Sequence, residues 1–457
     1  MSFIQATARQ YWWILLLSVL LGLALPGISL GICVVILAAL VIRRKSELWQ
    51  DQWPYRLFVL GIGTRVCIIG LKYVLNAITG TGLAIFGDSA MHLHQAEVVD
   101  RVLAGMLFLH QRATVPLIYG DYGYSITHWF YGSIYRLFGW SQFLLLIINA
   151  LAGCLAALLI YLITLRICKH KPSASLAMGL TLFFPSLIMW SVELLKEPII
   201  QLYTALLIYW FICTAEKRKW QYLLPLAVLC YPLGHLRKFT HLLMFAVLGL
   251  SSVLVIPKRI RTSALILLVL TAAVAIKLGP SGISVQWQSA QDKIIGSQIG
   301  FITTGGSWYK FIPQRFTVKN RSPRMTPVEC TISYAKAVGY YLMTPFPFKV
   351  TSFNKLPALP QMIIWYFLVI FCLLPGSLYL LRYHFRSSVI LMVYLAVFTS
   401  AQALFTGNEG TAFRQRDVLT IFYFIPMSIG FFNLRGWLSL RLESMRHRAF
   451  PQTEDSD

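Results

Sequence analysis

Apolar runs of membrane-crossing length constrain this chain more than any other feature of it. A helix needs about 20 predominantly apolar residues to cross the hydrocarbon core. The first run extends from Tyr11 to Ile42, enough for two short helices with a break near Pro26-Gly27. Further runs lie roughly at 55–79, 141–165, 174–191, 199–214, 221–234, 240–256 and 263–279. After a long mixed stretch, three more lie near 361–381, 387–405 and 418–434. The pattern predicts an all-α polytopic membrane protein of about twelve spans. Composition agrees: 12% of the residues are charged, where a soluble domain carries about 25%. The first run is too long for a signal-peptide core and shows no obvious cleavage site, so it reads as a retained anchor.

Basic residues follow the short loops on one side. Arg43, Arg44 and Lys45, then Arg166, Lys169 and Lys171, then Lys217, Arg218 and Lys219, then Lys258, Arg259 and Arg261 all fall inside if the N-terminus is cytoplasmic. That is the positive-inside pattern, and an even number of spans with both ends inside preserves it. The net charge is +23. In so apolar a chain it favours phospholipid head groups and anionic lipid-linked substrates as partners, and no nucleic acid. The mixed stretch at 280–360 is expected to be an outer loop, rich in bases and holding only Asp292 and Glu329 as acids. Its interleaved aromatics, Trp308, Tyr334 and Tyr340 among them, fit either an interfacial segment resting on head groups or a lid over an anionic substrate. The eight cysteines show no CxxC pairing and read as packed free thiols.

None of the 17 acids falls near a span centre, which argues against a proton- or cation-coupled pump. Three bases do fall within spans. Lys72 and Lys277 lie near span ends, where they can snorkel, and Arg65 lies deeper, where pairing within the bundle is expected.

Ionisable residues gather instead in four short clusters on the outer face. The first is Asp88, His92, His94, Glu97 and Asp100, where Asp88 and His92 would be neighbours on a helix. The second is Glu193, Lys196 and Glu197; the third is His235, Arg237 and Lys238; the fourth is Glu409, Arg414, Arg416 and Asp417. Any one of them is readable as an ordinary hydrated turn; four on one face are more informative. A carboxylate can take the proton from an acceptor hydroxyl as a sugar is transferred. Arginines can hold a phosphate or pyrophosphate leaving group. No Gly-rich nucleotide loop and no Walker pattern is present, so a polyprenyl-phosphate-linked sugar is a better donor than a nucleotide sugar. Asp88, His92, His94, Glu97 and His128 offer ligands for a divalent metal ion, without a tight ligand motif.

Several segments resemble a known family. They are Tyr131-Gly132-Ser133-Ile134-Tyr135-Arg136-Leu137-Phe138-Gly139-Trp140-Ser141, Ile148-Asn149-Ala150-Leu151-Ala152-Gly153, Phe184-Pro185-Ser186-Leu187-Ile188-Met189-Trp190-Ser191 and Leu195-Lys196-Glu197-Pro198. Together they resemble the protein O-mannosyltransferase and aminoarabinose-transferase superfamily of GT-C membrane glycosyltransferases, over roughly residues 55–260. The resemblance implies a GT-C-like bundle, a polyprenyl-phosphate sugar donor, a glycan, lipid or protein acceptor, and a site facing outward, in a bacterial inner membrane. It places the family's first-loop Asp on Asp88 and its later acid on Glu193 or Glu197. It leaves His92, His128, Arg237, Lys238, Arg414 and Arg416 as substrate-binding candidates. Here Trp129-Phe130 follows His128 where relatives carry prolines, and His92 stands where a Tyr is often found. The expected organisation is an N-terminal module at 1–279 with its first outer loop at 80–140, the basic aromatic loop at 280–360, C-terminal helices at 361–434 and a cytoplasmic tail at 435–457.

Two other readings remain open from sequence. An O-antigen ligase or polysaccharide polymerase would share the span count and the large basic loop, and differ in the glycan chain lengths left by a mutant. A flippase or transporter would move lipid-linked glycan without breaking a bond, and would place carboxylates in the core of the bundle.

Overall fold

Lipid offers a backbone no partners outside itself, so bilayer-length apolar runs must be helical. Every regular element among the described residues is a helix. The computed structural model describes residues 26–48, 51–80, 87–106, 125–237, 240–255, 283–303, 309–316, 325–346 and 359–449. The helices are α1 (Pro26–Leu48), α2 (Trp53–Thr79), α3 (Gly87–Leu103), α4 (Ser125–Phe138), α5 (Gln142–Cys168), α6 (Lys171–Phe183), α7 (Pro185–Ser191) and α8 (Glu197–Lys217). They continue with α9 (Leu223–Val228), α10 (Tyr231–Leu236), α11 (Thr240–Val255), α12 (Ile283–Thr303) and α13 (Pro327–Met343). The last are α14 (Leu359–Phe367), joined through a π-helical turn at Leu368–Leu373 to α15 (Leu374–Tyr383), then α16 (Phe385–Phe405) and α17 (Glu409–Ala449).

Six stretches among the described residues are long and apolar enough to cross a membrane: α2, α5, α8, Pro360–Tyr383, α16 and Glu409–Gly436 of α17. The pair α6 and α7, bent by 58° at its break, makes a seventh if it is one span. The bend has a plain cause. Pro185 has no N–H to continue the helix, so the run expected as one span at 174–191 divides there. The run at 221–234 divides likewise, into α9 and α10. The start of the first run, the run at 263–279 and Lys277 lie outside the described residues. The 280–360 stretch, expected as a loop, contains α12 and α13.

The chain folds into two compact units. The first comprises residues 1–163, 178–211 and 221–245, and the second 164–177, 212–220 and 246–457. In the first, α3 packs on α4 through Val98 and Val99, with Val102 and Trp129 beside them. Gly132 permits that crossing: a Cβ there would stand 2.4 Å from the Val99 Cβ and 2.9 Å from the Ala96 carbonyl oxygen. In the second, a capping box starts α13, with Thr326 accepting from the Glu329 N–H and the Glu329 carboxylate accepting from the Thr326 N–H. Arg315 also binds that carboxylate, and with the Thr326 N–H it holds Glu329 below the usual carboxylate range.

Candidate active site

The first unit draws the first two sequence clusters together. Asp88 sits half-buried in the first turn of α3, where a carboxylate is favoured by the exposed N–H groups of the helix start. Its neighbour Ser89 is buried, and the Ser89 Oγ accepts a hydrogen bond from the Leu194 N–H at 3.1 Å. The helix carrying Asp88 is therefore docked on the turn between α7 and α8. That turn carries Glu193 and Lys196, and Glu197 opens α8; all three are buried.

The turn is tied down from two other helices. Lys72 of α2 donates to the Val192 carbonyl at 3.1 Å and forms an ion pair with the Glu193 carboxylate. Lys72 thus does not snorkel as expected; it turns into the protein, because a buried carboxylate without a cation would be costly. Asn149 of α5 donates to the carbonyls of Trp190 and Glu193, and accepts from the Tyr131 hydroxyl at 3.3 Å. Burial, with Glu197 nearby, pushes the Tyr131 phenol far above its ordinary range, so it stays a hydroxyl. Arg65, expected to pair within the bundle, does so with neutral groups. It donates to the Ser191 Oγ at 2.7 Å and to the carbonyls of Leu182 and Gly61 at 3.0 and 3.1 Å.

The two candidate acids have different surroundings. Glu193 is fully buried and its carboxylate meets Lys72. Glu197 is buried in the first turn of α8, beside Tyr131.

His92 and His128 are both buried, with His92 Nδ1 and His128 Nε2 2.9 Å apart, so one ring nitrogen donates and the other accepts. Burial lowers the His128 pKa from 6.5 to about 4, and it is neutral at neutral pH. The unfolded chain takes up this proton at a higher pH than the folded one. Stability from the neutral ring is thus present above about pH 6.5 and declines as pH falls toward about 4. Thermal unfolding compared at about pH 7 and about pH 5 should show the decline, and His128→Asn should flatten it.

His92 and His94 lie two residues apart on a helix and so point to different sides; His92 is buried and His94 exposed. Among the described residues no three His, Cys, Asp or Glu side chains gather as ligands.

Of the basic candidates, Arg237 is half-buried and ends α10 in an extended conformation. Lys238 lies outside the described residues. A cavity of about 310 Å³, almost wholly apolar, lies among α4, α5, α8 and α10. Its lining includes Thr127, which precedes His128, and Leu236, which precedes Arg237. In the second unit Arg414 is half-buried in α17. Arg416 is 1% exposed, and its recorded contacts are to protein groups. It donates to the carbonyls of Leu342 and Thr344, and its guanidinium lies 4.8 Å from the Trp365 ring centre and 5.2 Å from that of Phe413.

Sequence reasoning missed Lys72, Ser89 and Tyr131 as parts of this arrangement. A signal existed for Asn149, an amide set within the apolar run of α5, and for Lys72, two helical turns beyond Arg65 on the same face.

No curated protein matches the chain. Residues 126–279, from α4 onward, match the family model described as dolichyl-phosphate-mannose-protein mannosyltransferase, a family of GT-C type glycosyltransferases.

Proposed function

We propose that the chain is an inverting membrane glycosyltransferase with a GT-C-like bundle. It moves a sugar from a polyprenyl-phosphate-linked donor to an extracytoplasmic glycan, lipid or protein acceptor. The observation that carries this reading is the docking of the Asp88 helix on the Glu193–Glu197 turn through Ser89 and Leu194, and the family match over residues 126–279 supports it.

In the reaction, the Asp88 carboxylate takes the proton of the acceptor hydroxyl as its oxygen attacks the anomeric carbon. The bond from that carbon to the phosphate oxygen breaks, and polyprenyl phosphate leaves. Arg237, with Lys238 beside it, stabilises the charge that grows on the phosphate. Glu197 orients the acceptor. The apolar cavity beside Thr127 and Leu236 suits the first part of an isoprenoid tail, because it offers almost no polar surface to desolvate. No step is routed through a metal.

The test is reconstitution of the purified protein with a lipid-linked sugar pool, reading release of polyprenyl phosphate. Asp88→Asn should lower release by about 100-fold or more at normal expression. Full release by that variant would remove Asp88 from its role. Movement of the pool across the bilayer without release would favour a transporter.

A further inference from the structure

The Glu193 turn is gripped from its N-terminal side by one face of α2. Arg65 and Lys72 stand seven residues apart, so they share that face two turns from each other. Arg65 reaches the Leu182 carbonyl at the end of α6 and the Ser191 hydroxyl at the end of α7. The break at Pro185 leaves carbonyls of the last α6 turn without their next helical donors, and Arg65 supplies one. Lys72 reaches the Val192 carbonyl and the Glu193 carboxylate, both inside the turn. The residue after Glu193 is Leu194, whose N–H is the donor to Ser89. Ser89 directly follows Asp88.

We propose that Lys72 is a positioning residue for sugar transfer: its ion pair with Glu193 sets the turn on which Ser89 docks, and so sets the place of Asp88. Glu193 is then an anchor for the turn. This rests on the reading of Asp88 as the base. Every link is a directional contact between protein groups, and none involves substrate. Loss of Lys72 should therefore misplace the base while leaving the binding of the carrier unaltered. A misplacement of about 1 Å far from the chemistry can cost about 100-fold in rate.

The experiment measures two quantities on each reconstituted variant. Titration with polyprenyl phosphate counts the folded carrier sites and gives their affinity. Single turnover of the lipid-linked sugar pool gives the rate per site. Lys72→Met should keep the sites and their affinity and lose about 100-fold in single-turnover rate. Lys72→Arg, which retains a cation at the same reach, should restore most of it. Ser89→Ala, which leaves the ion pair intact, should show a smaller loss in the same step. A wild-type rate in Lys72→Met overturns the proposal. If Lys72→Met loses its carrier sites, a wild-type rate in Ser89→Ala overturns it. Asp88→Asn in the same assay separates the two ideas. An inactive Asp88→Asn beside a fully active Lys72→Met removes only the positioning role. A fully active Asp88→Asn removes the base and the positioning role together.

Discussion

Arg416→Ala should unfold the second unit at a markedly lower temperature while leaving polyprenyl phosphate affinity of the surviving folded protein unchanged. Arg416 is buried and donates to two backbone carbonyls, of Leu342 and Thr344. Thr344 is itself fully buried, so its carbonyl would be left without that donor. Each such orphaned group costs about 1–3 kcal/mol, and hydrogen bonds from a charged donor contribute about 1.5–3 kcal/mol. The guanidinium also lies against the Trp365 and Phe413 rings, an interaction of about 2 kcal/mol when desolvated. The removed volume adds a cavity. A total loss of at least about 3 kcal/mol follows even after these overlapping contributions are discounted. Arg416→Lys should recover only part of it, because a point charge cannot reproduce the planar fork or the ring contacts. Thermal unfolding in detergent beside a polyprenyl phosphate titration decides the matter. Lost affinity at an unchanged unfolding temperature would return Arg416 to the phosphate-binding candidates.

Arg416 also shows which features a sequence hides. Arg414 and Arg416 belong to the same polar cluster at the start of the last apolar run, and nothing local separates them. Two residues apart on a helix, they face different directions, and Arg416 is the one that meets Trp365 and the carbonyls of Leu342 and Thr344. Span positions were far more legible. The runs read at 141–165, 199–214 and 387–405 correspond to Gln142–Cys168, Glu197–Lys217 and Phe385–Phe405, because apolar content alone sets where a helix can meet lipid. The break at Pro185 was written in the sequence but masked by apolar residues on both sides. Lys72 was misread for a different reason. Its partner Glu193 lies 121 residues away, and snorkelling is the natural expectation for a lysine near a span end when no partner is visible. Within the first cluster, Asp88 and His92 stand four residues apart on one helix, as their spacing anticipates, whereas the contact of His92 with His128 depends on α3 packing against α4 at Gly132.

Backbone approach in the second unit leads to the other large effect. Gly376 and Gly430 lie on facing segments, and each stands against a carbonyl of the opposite one. A Cβ at Gly376 would fall 1.8 Å from the Pro426 oxygen, and one at Gly430 would fall 1.9 Å from the Cys372 oxygen. Cys372 and Gly376 are one turn apart, as are Pro426 and Gly430, so the two approaches are reciprocal. Small residues allow membrane helices this closeness, and dispersion together with weak Cα–H···O hydrogen bonds then stabilises the pair. Both obstacles are backbone atoms, which cannot move aside as a flexible side chain would. Gly430→Ala should therefore force the segments apart and destabilise the second unit by about 1–3 kcal/mol. Gly430→Val should cost more, since it adds bulk at the same place. Gly436, six residues further along α17, meets nothing within 4 Å of an added Cβ. Gly436→Ala should leave stability unchanged or raise it slightly, by up to about 1 kcal/mol, through its better helix propensity. Unfolding temperatures of the Gly430→Ala and Gly436→Ala proteins in one detergent provide the comparison. Equal behaviour of the two would mean that the close backbone approach contributes nothing to stability.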